Sequence, residues 1–501
     1  MQLSQLLTGL LPLSPSVDCT IKGLTQDSRC LQPGEVFCAI PGTQTHGGYF
    51  IPQLIAQQPA AILLDVAFEL AEATLAKLTA ANIPLVRIPD LNANLGFIAS
   101  RFFGSPSNQL SLIAVTGTNG KTSVCHYLAQ ALTHLQQSCG ILGTAGIGFI
   151  NQLIPSPLTT LDPIQLQYQL AQFARDKAQH VALEASSHAL VQKRLRGCQI
   201  STAVFTNLTP EHLDYHGTME AYEAAKALLM QWPGLQQAVV NVDDPVGLRW
   251  CQRYHIDYPM VAYSCAPIPP TVPAAVPLLY GNLREVSTEG LRVEISSPWG
   301  TGEIQIPLIG RFNIANALAV LGVLQFYHPN FMDCLQALST LRGVCGRMQL
   351  FKQNNFPTVV VDYAHTPDAL ENALQSLCTH QYSRIWCVFG CGGDRDRLKR
   401  PLMGQIVATY ADYIILTNDN PRHEAPQQII ADIQQGLPQD DTRVYIEMNR
   451  SAAIQYAISQ AKPNDVVLVA GKGHETYQQL GKERVPFSDQ AVVMACLNQQ
   501  E

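Results

Sequence analysis

Short, continuously apolar runs alternate with longer, intermittently apolar stretches along most of the chain. VFCAI at 36–40, AAILLD at 60–65, LSLIAVTG at 110–117, HVALEAS at 180–186, STAVFTN at 201–207 and QAVVNVDD at 237–244 have the length and hydrophobicity of buried strands. Four more, TVVVDY, RIWCVFG, DYIILTN and DVVLVAG, follow residue 343, and each leads into a polar or glycine-bearing loop. Leu3, Leu6, Leu7 and Leu10 recur instead at helical spacing, which predicts a short docked helix. Val124, Leu128, Leu132 and Leu135 predict the buried stripe of a helix after the 110–117 strand. Strands alternating with helices predict an α/β fold of parallel sheets covered by helices on both faces, with ligands at the carboxyl ends of the strands. The pattern suggests three parts, 1–90, 91–342 and 343–501. The proline-rich stretch 265–278 reads as a surface connection.

A chain of 501 residues with 47% hydrophobic and 14% charged residues is long and apolar enough for several packed domains. Its net charge of -7 excludes a broad nucleic-acid groove, which needs clustered cations. Polyanionic ligands must then be held by a few placed groups. The 14 cysteines are scattered without a C-x-x-C pair, which points to a reducing cytoplasm rather than disulfides or structural zinc. The N-terminus carries no positive charge before Lys22, so it is a poor signal peptide, and no apolar run is long enough to insert in a membrane.

Candidate chemistry concentrates at strand ends. Gly117-Thr118-Asn119-Gly120-Lys121-Thr122, followed by Ser123, lies between a strand and a helix. Glycines there let backbone N–H groups converge on phosphate oxygens, and the helix N-terminus adds partial positive charge. Lys121 can neutralise β/γ oxygens, and the Thr122 hydroxyl can ligate Mg²⁺. The common phosphate-loop pattern has glycine six positions before the lysine, where this chain has Val115. Glu184 ends the HVALEAS strand and His212 follows STAVFTN; a carboxylate and an imidazole suit Mg²⁺ beside substrate phosphates. Read alone, they equally suit a helix-cap carboxylate and a surface histidine. Lys226, in the helical stretch MEAYEAAKALLMQW, reads as a solvated side chain. Asp419-Asn420-Pro421-Arg422 follows DYIILTN; Pro421 stiffens the loop and would aim Arg422 at a carboxylate, although an Asx turn accounts for the same residues.

GTNGKT, LEASSHAL, FTNLTPEHLDYHG, EAAKALL, GRFNIANALA, GRM, DYAHTPDAL, GCGGDRD, NDNPR and AGKGHE occur in the order found in Mur ligases, and the chain resembles that family over nearly its whole length. The family's phosphate loop has the shorter glycine spacing seen here. The resemblance implies a three-domain architecture: a UDP-substrate domain (1–90), a central ATPase (91–342) and a mobile Rossmann-like domain (343–501) carrying the incoming amino acid. It implies ATP as co-substrate with Mg²⁺ held by Thr122, Glu184, His212 and Lys226, the lysine carbamylated by CO₂. Gln26, Asp27, Ser28 and Arg29, with Gly42, Thr43, Gln44 and Thr45, match uridine-nucleotide contacts. Thr159, Thr160, Ser186, Gln192 and Arg194 match muramoyl-peptide contacts, and Leu158 stands at a contact position where the family is expected to carry asparagine. Asn313, Arg347 and His365 match the nucleotide site, and GVCGRM at 343–348 is where a hinge is expected. Arg395, Asp419, Asn420, Pro421, Arg422, Gly471 and Glu475 match amino-acid contacts, and DNPR marks the branch that adds meso-diaminopimelate. The implied activity is ATP-dependent addition of that amino acid to UDP-muramoyl-dipeptide, by a cytoplasmic monomer in peptidoglycan precursor synthesis. Ligation of L-lysine, a sister Mur or folylpolyglutamate ligase, and a non-ligating phosphate-loop ATPase are the competing readings.

Overall fold

The computed structural model describes residues 1–42, 45–287, 290–380 and 382–498. The chain forms two compact units. Unit one comprises Met1–Thr116, Gln137–Ala203 and Ala224–Gln237; unit two comprises Gly117–Gln136, Val204–Glu223 and Ala238–Glu501.

In unit one the strands Gly23–Thr25, Glu35–Ala39, Ala61–Asp65 and Leu85–Ile88 pair in parallel and in chain order. Successive strand side chains point to opposite faces. Val36, Cys38 and Leu63 therefore pack with Leu3, Leu6, Leu91 and Leu95, while Phe37, Ala39, Ile62 and Leu64 pack with Ile51, Leu54 and Leu78. Burial of both faces accounts for the unbroken apolar runs. The helix predicted from the N-terminal leucines spans Leu3–Leu6. Further strands lie in the spatial order Ser111–Thr116, His180–Glu184, Cys139–Gly143, Gly146–Phe149, parallel except for the last, which turns back as a hairpin. The helix Pro163–Arg175 starts at Asp162, whose Oδ1 accepts from the Ile164 and Gln165 amides at 3.0 Å each.

Unit two opens with the helix Lys121–His134. The single buried stripe predicted for it is too narrow: residues 122–129, 131 and 132 are all buried, and Leu135 is only half-buried. The helix Phe312–Tyr327 lies against it, and Tyr127 Oη donates to Asn313 Oδ1 at 3.1 Å. The strands Gln237–Asn241, Met260–Ser264 and Leu278–Ser287 are parallel neighbours. Gly290–Ser297 and Gly300–Ile306 then extend the sheet antiparallel, an addition that the expectation of parallel sheets lacks. Its physical signature is alternation: Leu291, Val293 and Ile295 are buried, whereas Arg292 and Glu294 are exposed. The proline-rich connection runs at the surface, with Ile268 86% exposed.

The last sheet has the order Gln349–Phe351, Thr358–Asp362, Val466–Ala470, Ile385–Phe389, Tyr413–Leu416, Val444–Ile446. Only its first strand is antiparallel. The side chains of Val360, Leu468, Cys387 and Ile414 pack on one face, and those of Val359, Val361, Val467 and Val388 on the other. The four strands predicted after residue 343 are thus the sheet's centre. Their carboxyl ends lead into the loops that hold DYAHT, GCGGDRD, NDNPR and AGKGHE. Among the described residues, no helix is long and apolar enough to cross a membrane.

Candidate active site

The phosphate loop lies in unit two and is locked by its neighbours. Gly117 has φ +146, and a Cβ there would stand 1.9 Å from Thr206 Oγ1, so no other residue fits. Thr206 Oγ1 donates to the Asn119 carbonyl at 2.6 Å, and the Asn119 amide donates to Asn207 Oδ1 at 2.9 Å. Thr118 Oγ1 lies 3.2 Å from Tyr222 Oη and accepts from the Thr209 amide at 3.0 Å. Lys121 Nζ donates to the carbonyls of Gly117 (2.9 Å) and Thr118 (2.8 Å), which holds the ammonium over the loop. Gly120 is the N-cap and makes no side-chain cap bond, and the helix N-terminus it opens adds partial positive charge suited to phosphate oxygens.

Beside the loop lies a cavity of about 280 Å³ lined by Asn119, Gly120, Ser123, Tyr127, Asn313, Arg347 and Asp368, among others. Asn313 is buried; its Oδ1 accepts from Tyr127 and from Asn316 Nδ2 (3.0 Å), and its Nδ2 donates to the Ile309 carbonyl at 2.6 Å. That network orients Asn313 at the cavity wall. Arg347 Nη2 is 3.5 Å from Thr122 Oγ1, and its guanidinium stacks 4.6 Å from the Tyr363 ring centroid. Its Nε is buried with no hydrogen-bond partner, an unsatisfied donor suited to an anion. His365 is fixed by Nδ1 against the Tyr363 carbonyl at 2.8 Å, and its Nε2 lies 4.0 Å from Glu211 Oε1. The expected hinge stretch is tied down: the Met348 amide donates to Asp362 Oδ2 at 2.6 Å, and Asp362 Oδ1 accepts from Ala364 at 2.7 Å. Burial raises the Asp362 carboxyl above its usual range, while Arg347 and these amides pull it down.

The loops expected to contact the amino acid converge at the carboxyl ends of neighbouring strands of the last sheet. Arg422 Nη1 donates to the Gly393 carbonyl at 2.6 Å, and the Gly393 amide donates to the Asn420 carbonyl at 2.9 Å. A Cβ on Gly392 would lie 2.9 Å from Arg422 Nη1 and 3.7 Å from Arg395 Cγ, so the two arginines flank one backbone position. Arg395 itself is exposed. Asn420 and Asp419 are buried, and Asn420 Nδ2 donates to Glu475 Oε2 at 2.9 Å. Gly471 has φ +118, and a Cβ there would meet Asp419 Oδ2 at 2.6 Å; that oxygen is buried without a hydrogen-bond partner. The Asx-turn alternative for DNPR is therefore incomplete, because its side chains reach across to GCGGDRD and AGKGHE.

In unit one, Asp27 accepts from the Arg29 amide, Nε and Nη2 at 2.9, 2.9 and 2.6 Å, with Gln26 and Ser28 half-buried beside it. Gln26 Oε1 is a buried acceptor without a partner. Thr160 Oγ1 donates to the Glu184 carbonyl at 2.7 Å and lies 3.0 Å from Ser186 Oγ. Arg194 Nη1 donates to the Thr160 carbonyl at 2.8 Å, and Gln192 Oε1 accepts from Arg194 Nε at 2.9 Å. The half-buried Asp162 carboxyl is raised by desolvation, lowered by its helix amides and Arg194, and raised by Asp27, so these segments share one electrostatic neighbourhood. Leu158 is 44% exposed, and Thr45 is exposed. Thr43 and Gln44 lie outside the described residues.

Glu184 is buried and is no helix cap: its Oε1 accepts from the Thr144 amide at 2.6 Å and its Oε2 from Thr144 Oγ1 at 3.2 Å. Thr144 Oγ1 also lies 3.0 Å from Thr159 Oγ1, so Thr144 links two expected sites, a role that nothing in the sequence pattern signals. Lys226 is 1% exposed, which overturns its reading as a solvated side chain. Its buried neighbours Ala225, Ala227 and Leu229 show that the helix turns this lysine inward. His212, in unit two, has φ +56 and a side chain 43% exposed, 3.6 Å from Glu211. Among the described residues no group of three or more His, Cys, Asp or Glu side chains could hold a metal. Within unit one the Glu184 carboxylate oxygens nevertheless suit a hard cation, and a carbamate on the buried Lys226 would add anionic oxygens.

Three family models match successive parts of the chain: "Mur ligase family, catalytic domain" at 20–103, "Mur ligase middle domain" at 115–324 and "Mur ligase, glutamate ligase domain" at 346–473. A UDP-N-acetylmuramoyl-L-alanyl-D-glutamate–2,6-diaminopimelate ligase of Coxiella burnetii is 44% identical over 474 residues, covering 95% of both chains. The protein of the same name in Alkalilimnicola ehrlichii is 44% identical over 505 residues, covering 100% of this chain and 99% of its own. A solved structure of a ligase of that name matches with a TM-score of 0.67 at 36% identity, covering 96% of this chain and 95% of the other. With family models on three successive parts and relatives aligned end to end, the chain belongs to the Mur ligase family.

Proposed function

We propose that the chain catalyses ATP-dependent addition of meso-2,6-diaminopimelate to UDP-N-acetylmuramoyl-L-alanyl-D-glutamate, a cytoplasmic step of peptidoglycan precursor synthesis performed by a monomer. The observation that carries this reading is full-length identity of 44% to two ligases of that specificity. It is supported by two arginines and a glutamate gathered around the DNPR loop. We assign 1–90 to the UDP end of the substrate, 91–342 to ATP and 343–501 to the amino acid.

Amide formation from a carboxylate requires activation. Lys121, the uncapped first turn and Arg347 hold the ATP phosphates while the D-glutamate γ-carboxylate attacks the γ-phosphorus. The bond between that phosphorus and the β,γ-bridging oxygen breaks, releasing ADP and leaving an acyl phosphate. The diaminopimelate amine then attacks the acyl carbon, phosphate leaves, and the amine's proton passes to solvent or to the phosphate. Thr160, Ser186, Gln192 and Arg194 position the muramoyl-peptide; Gln26, Ser28 and the 42–45 turn hold uridine. Arg422 and Arg395 pair with the distal carboxylate, and Glu475 with Asp419 takes the distal ammonium. Thr122, Glu184, His212 and Lys226, the last as a carbamate, would hold Mg²⁺, which supplies charge neutralisation on the phosphates. Acyl phosphates hydrolyse readily, so the domain that carries the amino acid must close over the site.

The test is mass spectrometry of the product formed from ATP, UDP-muramoyl-dipeptide and equal diaminopimelate and L-lysine. A product extended by diaminopimelate is expected. A lysine product in comparable amount, or phosphate release that ignores both acceptor and amino acid, overturns the proposal.

A further inference from the structure

Lys472, in AGKGHE, is 0% exposed and has no part in the chemistry above. A buried ammonium is costly unless it is paired. Its Nζ donates to Glu475 Oε2 at 2.6 Å and to Asn420 Oδ1 at 3.1 Å, and it lies 5.6 Å from the Tyr477 ring centroid. Asn420 Oδ1 also accepts from the Gln479 amide at 2.9 Å. Two donors on Oδ1 fix the orientation of the Asn420 amide, so its Nδ2 must face Glu475 Oε2. The bonds from Asn420 and Lys472 to the Glu475 carboxylate thus both fall on Oε2, which leaves Oε1 to face a ligand.

The charges around this point are few. Arg450 is buried, pairs bidentately with buried Asp489 at 2.7 and 2.8 Å, and is influenced by both Asp419 and Glu475. At the ammonium end of the pocket, Lys472 and Arg450 set against Glu475, Asp419 and Asp489 leave one net negative charge, which a single ammonium neutralises; Arg422 and Arg395 stand at the carboxylate end, and Arg484 stacks 4.4 Å from the Tyr477 ring centroid. Asp419 Oδ2 is the buried oxygen without a partner, beside the Gly471 backbone. Without Lys472 the cluster would carry two negative charges and would favour a bare cation, such as the end of lysine, over the zwitterionic end of diaminopimelate.

We propose that Lys472 is a specificity-determining positioning residue: it turns Glu475 toward the distal ammonium and offsets one of the carboxylates gathered at that end of the pocket. The inference rests on the proposed diaminopimelate reaction. The experiment compares wild-type enzyme with Lys472→Met, measuring kcat and KM for diaminopimelate, L-lysine, ATP and UDP-muramoyl-dipeptide. The expected result is a rise of about tenfold or more in KM for diaminopimelate, and a smaller ratio of diaminopimelate to lysine kcat/KM. KM for ATP and for UDP-muramoyl-dipeptide should not change. A loss of activity shared equally by both amino acids, or no change in KM, overturns the inference. If Lys472→Met does not fold, Lys472→Arg decides: it keeps the charge but displaces the carboxylate, so KM for diaminopimelate rises while that for ATP stays. Kinetics equal to wild type then overturn the inference. Failure of the parent reading appears separately, as wild-type enzyme that does not use diaminopimelate.

Discussion

Replacing Arg422 by lysine keeps one positive charge at the DNPR loop but removes the fork. In the structure Arg422 Nη1 is committed to the Gly393 carbonyl at 2.6 Å, so the substrate carboxylate must be read by the remaining N–H groups. A lysine ammonium at that position cannot hold Gly393 and pair bidentately with a carboxylate. The backbone is anchored independently of the side chain, since the Arg422 amide donates to the Gln479 carbonyl at 3.1 Å and the Gly481 amide to the Arg422 carbonyl at 2.8 Å. The φ of +51 is equally unfavourable for either residue, so the loop should persist. Loss of one charge-assisted hydrogen bond costs about 1.5–3 kcal/mol, a factor of roughly 10–150 in kcat/KM. Steady-state phosphate release with diaminopimelate and with L-lysine is the assay. The diaminopimelate value should fall by that factor, while the lysine value should stay within about twofold, because lysine presents no distal carboxylate. Equal losses for both amino acids, or none for diaminopimelate, would refute the assignment of Arg422 as carboxylate reader.

Gly117→Ala drives a Cβ into Thr206 Oγ1, 1.9 Å away, and should abolish ATP-dependent turnover with little change in far-UV circular dichroism; retained turnover would contradict the loop geometry. Lys226→Ala should be inactive and partly rescued by short-chain carboxylates, and intact-mass spectra of active enzyme in bicarbonate should show a carbamate on Lys226; an unmodified amine in active enzyme counts against it. Burial, with Arg347 and His474 nearby, lowers the His126 imidazole to about 4. Unfolded chains bind that proton below about pH 6.5 and the folded chain does not, so stability falls from pH 6.5 toward 4 by up to about 1.4 kcal/mol per unit. Urea midpoints of His126→Gln should fall less steeply over that window than those of wild type. Arg450→Met strands buried Asp489 and should cost about 3–5 kcal/mol by urea unfolding; an unchanged midpoint would deny the pair any structural role.

Strand positions are legible in the sequence because parallel sheets buried on both faces leave continuous apolar runs, as at Ala61–Asp65 and Val466–Ala470. The antiparallel hairpin at 290–306 is not, since its signal is alternation rather than hydrophobicity. Phosphate-loop chemistry is legible because the glycines and lysine act through local backbone geometry. Residues that act through a neighbour leave no such mark. Thr144 orients Glu184 from 40 positions away in the chain, and Asp368 Oδ2 accepts from Asn119 Nδ2 at 2.7 Å across 249 positions. Lys226 misleads on composition alone, because a single lysine in an alanine-rich helix looks solvated until burial is known.

The central claim is that ATP activates the D-glutamate side chain as an acyl phosphate. The most direct measurement is positional isotope transfer: UDP-muramoyl-dipeptide labelled with oxygen-18 in the γ-carboxylate, turned over with ATP and diaminopimelate, and mass analysis of the released phosphate. One oxygen-18 in each phosphate is the predicted result. Unlabelled phosphate, with the label kept in the amide product or lost to water, would contradict the account.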